Sequence, residues 1–421
     1  MLEVTEKCNL NCIYCFFSKG DGFDKRRHSQ YSMSEFIAYK AIDYYFNKYI
    51  NAIKKVPSEN RYKVVEQNYP MLQWWGGEPF LAFDLIVKTK SYFESLDWEA
   101  HGISKKDIVY GLTSNLTILN DDILNFIVQN NVKLRVSLDG DEESNDKNRV
   151  FPDGTGSFST TMKNLNIIIA KYPDYAKNSV GIQSVLSDNI DVFSAQRFIE
   201  KYFNLNTPSH KLITCSFNSQ RKNNVFLSDW DFLKESVEDI VFQFRNTLRK
   251  IADKPFDEIK KLLRYNKNLY IELKKIILIK DLLVLDYPKG NRCISGMFSC
   301  PLAAETIFVS ANGNFHCCAK SDYSIPFGHI KTGINITRLK NIYSSYHAEI
   351  ERHCKSCWAI RFCKICPALV CWNGTFKLPN EQECNNIRKI VEVNLIKHFI
   401  LSTEFEILYR QVSEIQQIKT F

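Results

Sequence analysis

Cys8-Asn9-Leu10-Asn11-Cys12-Ile13-Tyr14-Cys15 places three cysteines on one short loop, with three residues in the first gap and two in the second. A [4Fe–4S] cube has four iron corners, and each needs a ligand. Three thiolates fill three corners and leave one iron open, where a small molecule can bind and accept an electron. A structural zinc site takes four ligands and would not stop at three. Three ordinary thiols, or a zinc site completed from elsewhere in the chain, remain the competing readings of these residues.

Working outward, Leu2-Glu3-Val4-Thr5 alternates like a short strand and runs straight into the cysteine loop. In a parallel barrel, functional residues lie on the loops that follow the strands. Ser32 and Ser34 are N-cap candidates for a helix to about Tyr49. Met71-Leu72-Gln73-Trp74-Trp75 reads as a second strand, followed by Gly76-Gly77-Glu78-Pro79. The two glycines allow backbone to approach a ligand closely, Pro79 suits a first helical turn, and Glu78 can accept from a cation. Strand and helix then alternate: strand 108–113, helix 121–129, strand 133–138, a helix from Ser157 to about Ala170, strand 180–186, helix 190–203, and a sixth strand at 211–217. Such repeats imply a parallel sheet. The first strand begins almost at the first residue, so the gene begins late or a preceding segment is absent.

With 421 residues the chain can hold two or three domains. Its 45% hydrophobic and 24% charged residues are ordinary for a globular protein. No apolar run reaches ~18 residues and no charged-then-apolar leader opens the chain, so neither a membrane span nor a secretory signal is expected. The fourteen cysteines then read as metal ligands in a reducing cytoplasm rather than as disulfides. The net charge of +8 reads as a Lys-rich surface, or as attraction for an acidic peptide; no basic run interleaved with aromatics suggests nucleic acid.

The cysteine spacing, with Gly76-Gly77-Glu78-Pro79 about sixty residues later at a strand end, resembles the radical S-adenosylmethionine (SAM) enzymes. The resemblance implies an α/β fold, an open partial (β/α)6 TIM-type barrel whose side gap admits a large substrate. It implies a [4Fe–4S] cluster on Cys8, Cys12 and Cys15, with S-adenosyl-L-methionine at the open iron. It assigns SAM contacts to Tyr14, Gly76, Gly77, Glu78 (for the methionine ammonium), Ser137 and Arg149. Ser137 would meet the SAM carboxylate or ribose, and the turn Asp139-Gly140 follows it. Asn145 to Arg149, then Gly154 and Ser157-Phe158, resembles a segment of the peptide-modifying branch; Arg149 would pair with a carboxylate of SAM or substrate, or form a surface salt bridge.

From 218 to 290 the pattern changes. Leu233, Val237, Ile240, Phe244, Leu248 and Ile251 recur at helical spacing, with Ser228 as a possible cap and a further apolar stretch at 271–285. This reads as a helical connection. Ten cysteines then fall between Cys293 and Cys384. Their spacing resembles the SPASM extension, a small irregular Fe–S domain with two auxiliary [4Fe–4S] clusters. The resemblance assigns Cys293, Cys300, Cys318 and Cys366 to one cluster and Cys354, Cys357, Cys363 and Cys384 to the other. Two residues separate Cys363 from Cys366 where the family usually has three, so Cys371 rivals Cys366. Cys317 rivals Cys318, Cys215 reads as a buried apolar residue, and zinc on Cys354, Cys357, Cys363 and Cys366 is an alternative. After Cys384 a helical stretch to about Ile415 is expected to pack back on the barrel.

The implied organisation is a barrel at 1–217, a helical bridge at 218–290, a SPASM domain at 291–390 and a helical segment at 391–421. The implied chemistry is reductive cleavage of SAM to a 5′-deoxyadenosyl radical that takes hydrogen from a substrate carbon. The leading expectation is a maturase of ribosomally made precursor peptides that installs a thioether or C–C crosslink. A sulfatase-maturing enzyme, oxidising Cys or Ser to formylglycine, is the second; those enzymes carry an aspartate where Ala319 follows Cys318. A non-catalytic electron-transfer or zinc scaffold protein is the third. Expected partners are the precursor peptide, an electron donor such as flavodoxin or ferredoxin, and a leader-binding element: a separate protein, the SPASM half, or an upstream segment.

Overall fold

The computed structural model describes residues 1–15, 28–57, 65, 68–185, 198, 213–214, 237–265, 273, 276–277, 279, 307–319, 321–360, 362–363, 370–372 and 374–417. Cys215, Cys293, Cys300 and Cys366 lie outside these residues, as do Ser228, Leu233 and most of the segments 190–203, 211–217 and 271–285.

Strand β1 (Leu2–Thr5) leads into the cysteine loop and α1 (Glu35–Lys54) follows. The Ile37 N–H donates to the Ser34 hydroxyl, so Ser34 is the N-cap. Next come β2 (Met71–Gly76), a 3₁₀ turn at Pro79–Ala82, α2 (Phe83–Ser95) and β3 (Val109–Ser114). Helix α3 (Asp121–Gln129) is capped by Asn120, whose side chain accepts from Ile123 N–H. Then follow β4 (Lys133–Ser137), α4 (Glu142–Asp146), α5 (Phe158–Lys171), α6 (Pro173–Ser179), β5 (Val180–Ser184) and β6 (Ile213–Thr214). Strands β1 to β6 lie side by side in sequence order, all parallel.

Alternation along these strands divides their side chains. Leu2, Val4, Leu72, Trp74, Leu112, Leu134, Val136 and Ile182 turn to the helices and form the main core with Ile42, Ile86, Ile127 and Leu165. Full burial of one such side chain contributes about 1.5–3 kcal/mol. The opposite face, with Trp75, Thr113, Ser137 and Gln183, lines the barrel interior.

The second half of the chain extends the same sheet. Helices α7 (Val237–Ala252) and α8 (Phe256–Tyr265) precede β7 (Phe308–Val309), which joins β1 in parallel through Leu2 and Val309. Strands β8 (Asn314–His316), β9 (Gly328–His329) and β10 (Gly333–Ile334) continue outward, antiparallel. The ten strands run from β10 through β7, β1 and β2 to β6, and the sheet is open, as a partial barrel requires. Glu3, buried on β1, fastens the junction: its carboxylate accepts from Ala311 N–H at 2.9 Å and from the Tyr323 hydroxyl at 2.8 Å.

Helix α9 (Ile336–Cys354), the hairpin β11 (Cys371–Trp372) and β12 (Thr375–Phe376), α10 (Glu381–Phe399), a π-helical turn at Ile400–Glu404 and α11 (Glu406–Gln417) complete the chain. The C-terminal stretch meets the main core at Ile387 but departs from its expected packing on the barrel further on. Leu401, Leu408, Val412 and Ile415 instead close a second core with Phe244, Leu248, Ile259 and Leu263 of α7 and α8. The strong apolar stripes of α7 and α8 need a partner, and α11 carries a matching stripe.

Candidate active site

The C-terminal ends of β1 to β5 open on a cleft lined by Cys8, Cys12, Cys15, Trp75, Gly76, Gly77, Thr113, Asn115, Ser137, Arg149 and Gln183, with His28 at its rim. Cys12 is buried, and Cys8 and Cys15 are partly so. Burial pushes the Cys12 thiol up to about 12, against the pull of the Arg149 guanidinium, and pushes Cys8 higher still. Without a strongly positive partner these groups stay protonated. Three soft donors on one loop at the mouth of a cleft are the donor set an iron–sulfur cluster requires.

Backbone and side chains both tether the loop. Asn11 N–H donates to Val150 O at 2.7 Å and Ile13 N–H to Asn148 O at 2.8 Å. The Asn9 amide donates to the Thr117 hydroxyl and accepts from the Asn115 amide. The Tyr14 hydroxyl donates to Asp139 at 2.5 Å. Arg149 grips the same carboxylate with Nη2 at 3.0 Å and Nε at 2.9 Å, and Val185 N–H donates to it at 2.7 Å. Asp139 is therefore a buried keystone rather than a plain turn residue. Arg149 forms a buried ion pair with Asp139 rather than a surface one. The 145–150 segment clamps the cysteine loop.

Gly76 and Gly77 have a sharper role than ligand approach. A Cβ on Gly76 would lie 2.2 Å from Thr5 O, and one on Gly77 would lie 2.2 Å from Lys7 O. The entry to the cysteine loop passes directly over them, with Gly77 N–H donating to Thr5 O and Glu78 N–H to Lys7 O. The Glu78 carboxylate, expected to take an ammonium, is fully buried and already engaged: it accepts from Phe80 N–H, the Ser114 hydroxyl and Asn115 N–H. It ties the end of β2 to the end of β3, behind the cleft wall. Burial raises it to about 7 despite these donors.

Ser137 lines the cleft wall. Trp75, Thr113, Asn115, Gln183 and His28 escaped the sequence reading. The first two and Gln183 sit at inward positions of strands already recognised, so counting alternation to the strand end would have found them. Asn115 follows β3 directly. His28 faces Cys15, with Nε2 at 3.5 Å from its sulfur and Nδ1 at 3.0 Å from Glu6 O, and burial lowers its pKa.

In the second cysteine field, Cys354 ends α9, Cys357 follows in a turn, and Cys384 lies in the first turn of α10. The Cys354 thiol is pushed up to about 11 by burial, with Cys384 and Cys357 close enough to add to it. Cys317 and Cys318 follow β8, Cys363 is partly buried, and the buried Cys371 on β11 donates to Asp322 at 3.7 Å.

Residues 2–186 match the radical SAM superfamily model. This part of the chain is thus similar to the radical SAM superfamily, a family that implies a [4Fe–4S] cluster and SAM. An uncharacterized protein of Methanocaldococcus jannaschii is 32% identical over 168 residues, 40% of this chain and 47% of that protein. The chain thus spans about half the length of that relative. A cysteine-type anaerobic sulfatase-maturating enzyme of Clostridium novyi is 23% identical over 94% of both chains. A radical SAM cyclopropyl synthase of Paramaledivibacter caminithermalis is 28% identical over 46% of this chain and 36% of its own. In fold, the chain resembles the solved structure of anSMEcpe with bound AdoMet, at a TM-score of 0.59 and 16% identity over 99% of this chain and 97% of that one. Among the described residues no helix is long and apolar enough to cross a membrane.

Proposed function

We propose that this chain is a radical SAM maturase that acts on a peptide or protein, with Cys8, Cys12 and Cys15 as the cluster ligands. The supporting observation is that three thiols on one loop, tethered at five points, all line the cleft at the head of an open barrel. When bound, the cluster and SAM supply an electron and a 5′-deoxyadenosyl radical. The chain's own residues hold the loop through Asp139, Asn148 and Val150, form the wall with Ser137 and Gln183, and leave the barrel's side open to a large substrate. Gly76 and Gly77 offer backbone at the wall, and Tyr14 offers its backbone, since its hydroxyl serves Asp139. The grouping of Cys354, Cys357 and Cys384, with Cys363 nearby in sequence, supports one auxiliary cluster. Cys318, with Cys293, Cys300 and Cys366, would hold the other.

Within this class the reading is oxidative crosslinking of a ribosomally made peptide, as a thioether or C–C bond. The support is Ala319, buried directly after Cys318. Asp322, the nearest following acid, is occupied by Ser324 N–H, Gly374 N–H and the Cys371 thiol. The end-to-end similarity to the Clostridium novyi enzyme favours formylglycine formation as the second reading. Anaerobic reconstitution with iron and sulfide, followed by SAM and dithionite, should yield 5′-deoxyadenosine, and Cys12→Ala should abolish it. Mass spectrometry of a co-expressed peptide then separates the two: a crosslink loses two hydrogens and keeps its sulfur, whereas conversion of Cys to formylglycine loses the sulfur. Absence of 5′-deoxyadenosine would overturn the proposal.

A further inference from the structure

The barrel's inner wall carries a cation that neither the cysteine loop nor the cleft's tethers use. Arg135 lies on β4 two positions before Ser137, so both side chains share the inward face. Leu134 and Val136, between and beside them, are fully buried against the helices. Thr113 of β3 is register partner to Arg135, and Gly181 of β5 flanks it on the other side without a side chain. Trp74 pairs with Leu112, which puts Trp75 beside Thr113. Trp75, Thr113 and Arg135 thus form one row across three adjacent strands, and the first two line the cleft.

Two donors in this row lack acceptors among the described residues. The Trp75 indole N–H is buried without a hydrogen-bond partner. Arg135, about half withdrawn from water, makes no hydrogen bond or ion pair there, and desolvation lowers its pKa. The acids that share the inner face are committed elsewhere: Glu3 to Ala311 and Tyr323, and Asp139 to Tyr14, Arg149 and Val185. A guanidinium fork and an indole N–H beside an open channel match the planar acceptor pair of a carboxylate.

We infer that Arg135, Trp75 and Thr113 form a subsite for one carboxylate of the peptide substrate, an acidic side chain or the C-terminal α-carboxylate. The inference rests on the proposed maturase reading and narrows it to substrates that carry an anion near the reacting residue. The net charge of +8 draws such peptides toward the opening.

The test uses the reconstituted enzyme with SAM and three fluorescein-labelled Gly/Ala/Ser peptides of equal length, read by anisotropy. One carries Asp with an amidated end, one carries Asn with an amidated end, and one carries Asn with a free terminal acid. Wild type should bind one of the two charged peptides about tenfold more tightly than the neutral one. Which peptide gains identifies the side-chain or terminal source. Arg135→Gln should erase the difference, Arg135→Lys should restore part of it, and Trp75→Phe should reduce it. Circular dichroism and iron content of the variants check that they fold and load. Equal or undetectable binding of all three peptides by wild type overturns the subsite, as does a preference that survives Arg135→Gln. Loss of SAM affinity in Arg135→Gln with the peptide preference intact also overturns it. Formation of 5′-deoxyadenosine by the same wild-type sample reports on the maturase reading separately.

Discussion

Glu78 has three donors and no solvent, yet burial outweighs the donors and its carboxyl holds its proton to about 7. The unfolded chain releases that proton near 4.5. Between these values the folded state binds more protons, so stability falls as pH rises through the window and is level below and above it. The group contributes a slope worth about 3 kcal/mol over that interval. Urea denaturation of the metal-free protein at several pH values should show the slope in wild type and a flattened one in Glu78→Gln; parallel curves would contradict the assignment. The sequence marked Glu78 by its motif but could not say which way it faced, because Ser114 and Asn115, its donors, come from another strand end.

At the scale of the element, the junction of β1 and β2 decides where the three thiols sit. Gly77→Ala would push a methyl into Lys7 O, and relief requires the cysteine loop to lift. The expected outcome is a loss of about 1–3 kcal/mol in urea unfolding, together with lower iron content after reconstitution. Full iron loading in this variant would show that the crossing is not tight. Helix and strand positions were legible here because they follow local rules. The helix 121–129 was readable from its own apolar spacing, and its neighbours from alternation and caps such as Ser34. The purpose of Gly76-Gly77 was not, since a chain crossing and a ligand approach demand the same missing side chain. Arg135 went unnoticed because a lone basic residue in a strand reads as surface until its neighbours' register is known.

For the molecule as a whole, the sheet unites two halves that sequence divides. The parallel order β1 to β6 was readable from repeating units, whereas the addition of β7 to β1 was not, since a two-residue strand carries no periodicity. Glu3 is the fastener: replacing it with Ala leaves the Ala311 N–H and the Tyr323 hydroxyl without their acceptor, at a cost of about 1–3 kcal/mol. Glu3→Ala should expose the region around β7 to limited proteolysis before the barrel, and Glu3→Gln, which keeps one acceptor oxygen, should lie between it and wild type. Simultaneous cleavage of both regions would argue against a local fastener.

The same junction sets a timetable. Glu3 and Ala311 stand 308 positions apart, and Val309 must be made before β1 has both its neighbours. During synthesis at ~5–20 residues per second, β1 therefore waits many seconds with one edge bare. Contacts of such long range close late and slowly. The strand that leads into the cysteine loop therefore gains its second neighbour only once Val309 has been made.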